Sequence, residues 1–120
     1  MDTGMTGSPI DPQAVERAEE NMLSKSAEGR AKEILESLCD PTRLKIVRAL
    51  RDSTLAASDI ARVIRRSRAA TSQHLKVLRD VHAVVPTRQG NIVRYALATS
   101  VSAEILEDIG RSFDRLEATA

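Results

Sequence analysis

The segment Ser67–Arg79 (SRAATSQHLKVLR) holds the side chains best suited to bind another molecule. On a helical wheel, one side of it combines small residues with hydrogen-bond donors, namely Ala69, Ser72, Gln73 and Lys76, flanked by Arg68 and Arg79. A Gln there can form two hydrogen bonds with adenine, and an Arg can do so with guanine. Ser67 can cap the helix and contact a phosphate. This pattern favours hydrogen bonding to the bases and backbone of duplex DNA.

The other side of the same wheel faces inward and contains Ala70, Thr71, Leu75 and Leu78. His74 lies at its inner edge, where it either packs or contacts a phosphate, and we include it among the candidate DNA contacts. An ordinary amphipathic helix with a solvated polar face gives the same wheel. The elements around the segment have to decide between the two interpretations.

A second helix is predicted just before this segment. Ser58 is expected to cap it, and Ser67 is expected to cap the helix that follows and ends near Asp80. Arg65-Arg66 turns the chain between them. The apolar residues of the first helix are Ile60, Val63 and Ile64. Two helices joined by a short turn predict a helix-turn-helix, which places its second helix in the major groove of DNA.

A β-hairpin is predicted after the helix-turn-helix. Strand-like runs occupy residues 84–88 and 92–97, on either side of Gln89-Gly90-Asn91, and a Gly beside Asn is typical of a hairpin turn. Pro86 restricts the first run to the edge of a sheet. The hairpin fits a two-stranded wing, on which Arg88 and Arg94 are candidate DNA contacts. The wing shifts the interpretation of the recognition segment toward DNA binding.

The N-terminal third carries three helix starts. Asp11-Pro12 begins the first helix, with Ile10 stapled to Val15, and this helix fades at residues 24–26. Ser26 can cap a second helix that runs to about Cys39. Its apolar stripe contains Ile34, Leu35 and Leu38. Because Gly29 weakens the second helix, one bent helix is the alternative.

Asp40-Pro41 repeats the start signal for a third helix, which runs to about Leu50. Its expected core residues are Leu44, Val47, Ile46 and Leu50. Thr54-Leu55-Ala56 is expected to be a short extended piece. Ser100 or Ser102 begins the last helix, whose apolar face is as wide as a partner helix needs and contains Val101, Ile105, Ile109, Phe113 and Leu116.

These elements predict a mainly α-helical fold with a β-hairpin wing. We expect a disordered tail at 1–9, a helical extension at 10–25, a winged helix-turn-helix DNA-binding domain at 26–98 and a dimerisation helix at 99–120.

Charge is distributed unevenly along the chain. Residues 43–94 contain 12 Lys and Arg against 3 Asp, a net charge of +9, and the remaining residues carry a net charge of −8. A basic segment on a groove-reading motif is the electrostatic pattern expected of a DNA-binding protein. The aromatic fraction of 2% argues against stacking on single-stranded nucleic acid. Duplex DNA therefore fits better.

Composition also limits other classes of function. A single Cys excludes an internal disulfide framework, and with no secretory signal or long apolar run we expect a cytoplasmic protein with no membrane association. No nucleophile–base pair, carboxylate pair or phosphate-binding Gly loop is visible, so we expect neither an enzyme nor a cofactor.

Three segments together resemble the ArsR/SmtB type of winged helix-turn-helix repressor. They are Leu38–Leu44 (LCDPTRL), the recognition segment Ser67–Arg79, and the wing, with Arg88-Gln89-Gly90 and Tyr95-Ala96-Leu97. Val81–Val85 resembles the helix-to-wing junction of the zinc-sensing branch. The resemblance implies a symmetric homodimer on a palindromic operator, released when an inducer binds. It also implies that the first and last helices form the interface. The candidate interface residues are therefore Leu35 together with the apolar face of the last helix.

The chain departs from the family at the positions where relatives bind metal. Sensors of arsenic, lead and cadmium carry Cys-x-Cys-Asp where this chain has Ala56, Ser58 and Asp59. The positions matching the zinc and cobalt site of the last helix are Thr99, Val101, Arg111 and Asp114, of which only Asp114 could be a ligand. We therefore expect no metal at the usual sites. Arg65 and Arg66 replace the Gly and apolar residue that the family usually has in the turn.

Two further residues have candidate roles of their own. Cys39 either packs against Leu44 as a buried structural residue or acts as a redox switch, although family thiol sensors use two cysteines. His82 can cap the carbonyls at the end of the recognition helix.

The leading hypothesis is a dimeric repressor with an unknown inducer. The alternatives are a metal or thiol sensor with non-standard ligands, and a winged-helix module that binds a protein.

Overall fold

The computed structural model describes residues 7–119, so the predicted tail at 1–9 lies largely outside the described residues. In chain order, the described elements are α1 (Pro12–Glu19), α2 (Lys25–Ser37), α3 (Pro41–Ala49), β1 (Leu55–Ala56), α4 (Ala57–Ile64), α5 (Arg68–Asp80), β2 (Val84–Gln89), β3 (Ile92–Leu97), α6 (Val101–Ser112) and α7 (Asp114–Thr119). The chain divides into two units between Arg30 and Ala31.

The unit before Ala31 contains α1 and the start of α2. As predicted, Asp11 caps α1, and its carboxylate accepts a hydrogen bond from the Ala14 N–H at 3.0 Å. The predicted Ile10–Val15 staple is wrong, because Ile10 is fully exposed. The cap of α2 was misassigned as well. Ser24, rather than Ser26, accepts the N–H of Ala27 at 3.2 Å, so the helix begins at Lys25.

The unit after Arg30 contains the predicted helix-turn-helix, formed by α4 and α5. Ser67 caps α5 as predicted, accepting the Ala70 N–H at 3.0 Å. The predicted Ser58 cap is wrong: Ser58 lies inside α4, which begins after Ala56 without a side-chain cap. The reason is tertiary, because Ala56 pairs with Arg94 of β3 and the extended backbone continues to the first residue of the helix.

The wing forms as predicted, and it gains one strand. β2 and β3 pair from Val84↔Leu97 to Gln89↔Ile92, with Gly90 in the left-handed region at φ 63°. The short β1 pairs with the other side of β3, which makes the sheet three-stranded in the order β1-β3-β2. Pro86 therefore lies on an edge strand, where its missing N–H costs no ladder hydrogen bond.

An aliphatic core holds α3, α4, α5 and α6 together. Its most buried members, each no more than 2% exposed, include Ile46, Val47, Ile60, Ile64, Leu75, Leu78, Val84 and Leu106. Burial of α3 matches the prediction for Val47, Ile46 and Leu50, while Leu44 is only half-buried. Of the three apolar residues of α4, Ile60 and Ile64 are buried and Val63 is 58% exposed.

The C-terminal segment starts as predicted but is not one helix. Ser100 caps α6, accepting the Ala103 N–H at 3.0 Å. The helix is interrupted at Phe113, whose N–H bonds to the carbonyls of both Ile109 and Gly110, and α7 follows. The inner face of α6 buries small residues and one leucine, namely Ser102, Ala103, Leu106 and Gly110. Its outer face carries only part of the predicted apolar stripe, Val101, Ile105 and Ile109, because Phe113 ends the helix and Leu116 lies in α7.

Candidate nucleic-acid interface

The two sides of α5 are arranged as the helical wheel predicted. Thr71, Leu75 and Leu78 are no more than 2% exposed and hold the helix against the core. The opposite side is exposed along its length and presents Arg68, Ala69, Ser72, Gln73 and Lys76. A hydrogen-bonding surface with small residues at its centre is therefore available for approach to a groove.

Ser67, at the N-terminus of α5, and Lys76 already have local partners. The Ser67 hydroxyl accepts the N–H of Ala70, which leaves its own proton and its position at the helix N-terminus available to an anion. The Lys76 ammonium lies 3.1 Å from the Asp80 carboxylate, and both side chains are well exposed. Exposed pairs of this kind contribute little free energy, so Lys76 can exchange Asp80 for a phosphate at small cost.

A cleft of about 410 Å³ separates α5 from the wing. Its walls come from the β1–α4 junction, the N-terminal half of α5 and β3, and its lining residues are Ala56, Ala57, Ser58, Arg68, Ser72, Asn91, Ile92, Val93 and Tyr95. Arg68 and Ser72 of the recognition helix thus share one concave surface with the wing. This cleft has a shape that fits a sugar–phosphate backbone lying between the helix and the wing.

The two wing arginines lie on opposite faces of the hairpin. Arg88 is paired with Val93, which lines the cleft, whereas Arg94 is paired with Thr87 on the other face. Arg88 is exposed and its guanidinium donates to the Gly90 carbonyl at 3.4 Å, while Arg94 is half-buried. The hairpin therefore places Arg88 on the same face as Val93 and Tyr95, and Arg94 on the opposite face.

His74 is separate from the exposed face of α5. Its side chain is 15% exposed, with Nδ1 3.3 Å from a guanidinium nitrogen of Arg43 and Nε2 3.7 Å from the carboxylate of Asp40. The Asp40 carboxylate accepts the Thr42 N–H, and chiefly for this reason its pKa lies below the ordinary value for aspartate. Of the two positions considered for His74, the structure gives the packed one.

Sequence reasoning missed the backbone of the helix-turn-helix turn. Arg65 ends α4 in the left-handed conformation at φ 57°, which is unusual for a residue other than Gly or Asn. The neighbouring Arg66 donates to the Arg65 carbonyl at 3.2 Å and reaches the Thr42 hydroxyl at 3.5 Å. The only sequence signal was the presence of two arginines where relatives have Gly and an apolar residue.

The candidate metal positions hold no assembled ligand set among residues 7–119, where no three His, Cys, Asp or Glu side chains are close enough to hold a metal ion. Asp114 instead bonds Arg48 at 2.7 Å and Arg51 at 3.4 Å. The hydrogen bond from Arg48 lowers the pKa of the Asp114 carboxyl, and the charges of both arginines act in the same direction.

The expected burial of Cys39 is wrong. Its thiol is exposed and donates only a weak hydrogen bond to the Leu35 carbonyl at 3.8 Å. The neighbouring Leu38 packs against the core instead, because α2 ends at Ser37 and the turn that follows points Cys39 outward.

No helix within the described part of the chain is both long enough and apolar enough to cross a membrane.

The fold and the exposed recognition helix define a winged helix-turn-helix regulator. Residues 40–81 match the bacterial regulatory protein, arsR family. The chain is 33% identical over 86 residues to the HTH-type transcriptional regulator NmtR of Mycobacterium tuberculosis (strain ATCC 25618 / H37Rv), covering 72% of each chain. It is 40% identical over 73 residues to the HTH-type transcriptional regulator CmtR of Mycobacterium bovis (strain ATCC BAA-935 / AF2122/97), covering 61% of this chain and 62% of CmtR.

A solved structure shares the architecture. The crystal structure of the transcriptional repressor BigR from Xylella fastidiosa superposes with a TM-score of 0.66 at 26% identity, over 78% of this chain and 95% of BigR. The chain belongs to the ArsR family of bacterial regulatory proteins. It is therefore a transcriptional regulator, and the expectation that it is not an enzyme is confirmed by its relatives.

Proposed function

We propose that this chain is a homodimeric repressor that binds a palindromic operator in duplex DNA. Each subunit inserts α5 into the major groove, where Gln73 and Arg68 contact bases past the small side chains of Ala69 and Ser72. The observation that carries the proposal is the exposed, donor-rich side of a helix whose opposite side is locked into the core. Such a regulator acts in the cytoplasm.

Contacts to the DNA backbone surround these base contacts. Ser67 and Lys76 bind phosphates on either side of the helix, and Arg88 binds a phosphate from the wing. The shared cleft between α5 and β3 supports this division of roles, since it places Arg68 and Ser72 beside the wing. Arg94 contributes through the opposite face of the hairpin, and His74 has no direct contact with DNA.

Dimerisation uses the outer face of α6 together with α2. Val101, Ile105 and Phe113 are 39–62% exposed, and Leu35 of α2 is 60% exposed. An apolar groove of about 310 Å³ lies between the two helices, lined by Leu35, Leu38, Pro41, Leu44, Ile109 and Phe113. Apolar side chains this exposed along one face support an interface, which a second subunit related by two-fold symmetry completes together with Leu116.

The signal that releases the operator is not a metal at the family's usual positions. Ala56 and Ser58 provide no thiolate, and the Asp114 carboxylate is already paired with Arg48 and Arg51. A thiol-responsive regulator is the second candidate, and the exposed thiol of Cys39 favours it. Titration of the dimer with Zn²⁺, Ni²⁺ and Cd²⁺, and separately with a thiol oxidant, should separate these functions. Release by a metal contradicts the proposal that the signal is not a metal. Release by the oxidant that Cys39→Ser abolishes supports a thiol-responsive regulator.

The DNA-binding proposal is tested by selecting duplexes from random sequence with the full chain. We expect an enriched palindrome whose affinity falls steeply with salt, with a slope of about −0.9 per neutralised phosphate. Gln73→Ala should lower affinity for this duplex by about 1–3 kcal/mol and relax the preference at one base pair in each half-site. Arg111→Ala is a control on α6 and should leave the affinity unchanged. Equal weakening of selected and random duplexes by Gln73→Ala contradicts its role as a base contact. A complex with another protein whose affinity does not depend on salt supports a winged-helix module that binds a protein.

A further inference from the structure

His74 and Gln73 are neighbours in α5 with opposite surroundings. Gln73 is exposed on the groove-facing side, while His74 points inward toward α3. The remaining inward contacts of α5 are largely aliphatic, through Leu75 and Leu78. Apolar contacts have no direction, whereas hydrogen bonds depend steeply on angle and distance. The polar contacts of His74 are therefore placed to determine how α5 is rotated and where Gln73 points.

One guanidinium links His74 to two other elements. Arg43 of α3 donates through Nε to the Ser37 carbonyl at the end of α2, and its Nη1 lies 3.3 Å from His74 Nδ1. The Ser37 side chain is itself buried and donates to the Ile34 carbonyl at 2.6 Å. Because a guanidinium is planar and rigid, its two bonds fix α5 relative to the end of α2.

The other ring nitrogen of His74 faces the start of α3. Nε2 lies 3.7 Å from one oxygen of Asp40, whose other oxygen accepts the Thr42 N–H at 2.8 Å. The Thr42 hydroxyl in turn accepts from Arg66 in the helix-turn-helix turn at 3.5 Å. The contacts of His74 therefore reach α2, α3 and, through Thr42, the turn before the recognition helix.

These partners also determine the form of the imidazole. A guanidinium can only donate hydrogen bonds, so Nδ1 must present its lone pair to Arg43. The proton of a neutral His74 then resides on Nε2, facing the Asp40 carboxylate. A Leu at this position keeps the apolar volume and loses both polar contacts, whereas an Asn keeps an acceptor near the position of Nδ1.

We propose that His74 is a positioning residue for operator recognition, which orients α5 through Arg43 and Asp40 without contacting DNA. This role rests on the proposed function, because orientation matters only if α5 reads bases. A helix held loosely still binds phosphates nonspecifically but no longer aligns Gln73 and Arg68 with their bases together.

The test compares His74→Leu, His74→Asn and Arg43→Lys on two probes, the duplex selected by the wild-type chain and a random-sequence duplex. We expect His74→Leu to weaken the selected duplex on the order of tenfold, with little change on the random duplex and an unchanged salt slope. His74→Asn should recover most of the loss. Arg43→Lys keeps the charge but cannot form both hydrogen bonds, so it should reproduce the loss and be non-additive with His74→Leu.

Three outcomes overturn the positioning role while the proposed function stands. Equal weakening on both duplexes with a smaller salt slope makes His74 a phosphate contact. A lower Tm with unchanged affinity of the folded protein makes it a merely structural residue. A nitrogen-15 spectrum of the free protein that shows the neutral ring protonated on Nδ1 rejects the hydrogen-bond assignment without any DNA. If the wild-type chain enriches no duplex, the proposed function fails and the positioning role fails with it, and the spectrum still reports separately on the contacts.

Discussion

The Asp114 carboxylate lies 2.7 Å from the Arg48 guanidinium, which also donates to the Gly110 carbonyl at 2.9 Å. Arg51 reaches the second carboxylate oxygen at 3.4 Å. These contacts join the first residue of α7 to α3 at the point where α6 has ended. They lie where the C-terminal helix is interrupted, and they hold the chain after Phe113 against the end of α3.

The first prediction concerns the pH dependence of this contact. The pKa of Asp114 is lowered in the folded chain, so its contribution to stability is present above the aspartate pKa of the unfolded chain, about 3.9, and is lost as pH falls below it. Asp114→Asn should therefore be less stable than the wild type at neutral pH, and the difference should shrink in acid. Urea unfolding across a pH series measures this.

A matched control for that experiment is Asp108→Asn, which removes an exposed carboxylate from α6. This variant should not reproduce the acid-sensitive difference. If Asp114→Asn and the wild type differ by the same amount at every pH, the carboxylate charge is not what holds α7 against α3.

The second prediction follows from the opposite placement of Arg88 and Arg94. Arg88 shares its face of the hairpin with the cleft beside α5, so Arg88→Ala should remove one phosphate contact and reduce the salt slope by about one per subunit. Arg94→Ala removes the same charge from the opposite face and should have the smaller effect. Fluorescence anisotropy across a salt series compares them, and equal effects contradict the assignment of faces.

Local signals in the sequence predicted the elements whose causes are themselves local. Ser67 caps α5 by a hydrogen bond three residues ahead, and Gly90 provides the left-handed turn of the hairpin. The same reasoning failed at Ser58, because α4 begins where β1 stops pairing with β3. That boundary depends on Arg94, a residue far along the chain, and no local pattern contains it.

The same distinction between local and long-range causes applies to the residues of the candidate site. Helical periodicity placed Gln73 and Lys76 outside and Leu75 inside, since a 3.6-residue repeat follows from the backbone alone. It put His74 at the inner edge but could not choose between packing and a phosphate contact, because its partner Arg43 is 31 residues away. Likewise, Arg65 and His82 adopt left-handed conformations that residue preferences disfavour, so only the assembled fold reveals them.

The third prediction uses these two left-handed residues as a pair. A left-handed conformation costs a side chain about 1–2 kcal/mol, part of which Gly loses again through the flexibility of the unfolded chain. Arg65→Gly and His82→Gly should each raise the free energy of unfolding by up to about 1 kcal/mol. Denaturant unfolding measures both, and destabilisation by either variant indicates that its side chain has a stabilising role that outweighs the strain.

The two variants should differ in DNA binding. Arg65 lies in the turn before the recognition helix, next to a proposed phosphate contact at Ser67, so its loss should weaken both selected and random duplexes and reduce the salt slope. His82→Gly removes neither a Lys nor an Arg and should leave affinity unchanged. Such a result indicates that a strained Arg is retained at a functional position at the expense of stability. Equal affinities would make the strain at Arg65 unrelated to DNA.

The fourth prediction concerns the proposed dimer interface. Phe113 is 44% exposed and lines the apolar groove between α2 and α6, so Phe113→Glu places a charge where the second subunit should bury an aromatic ring. The dimer dissociation constant should rise at least about thirtyfold, equivalent to about 2 kcal/mol. Analytical ultracentrifugation measures it. Ser112→Glu introduces the same charge at an adjacent exposed position and should preserve the dimer. Because each half-site then binds alone, Phe113→Glu should also weaken the selected palindrome, and a monomer that binds it as tightly as the wild type refutes this interface.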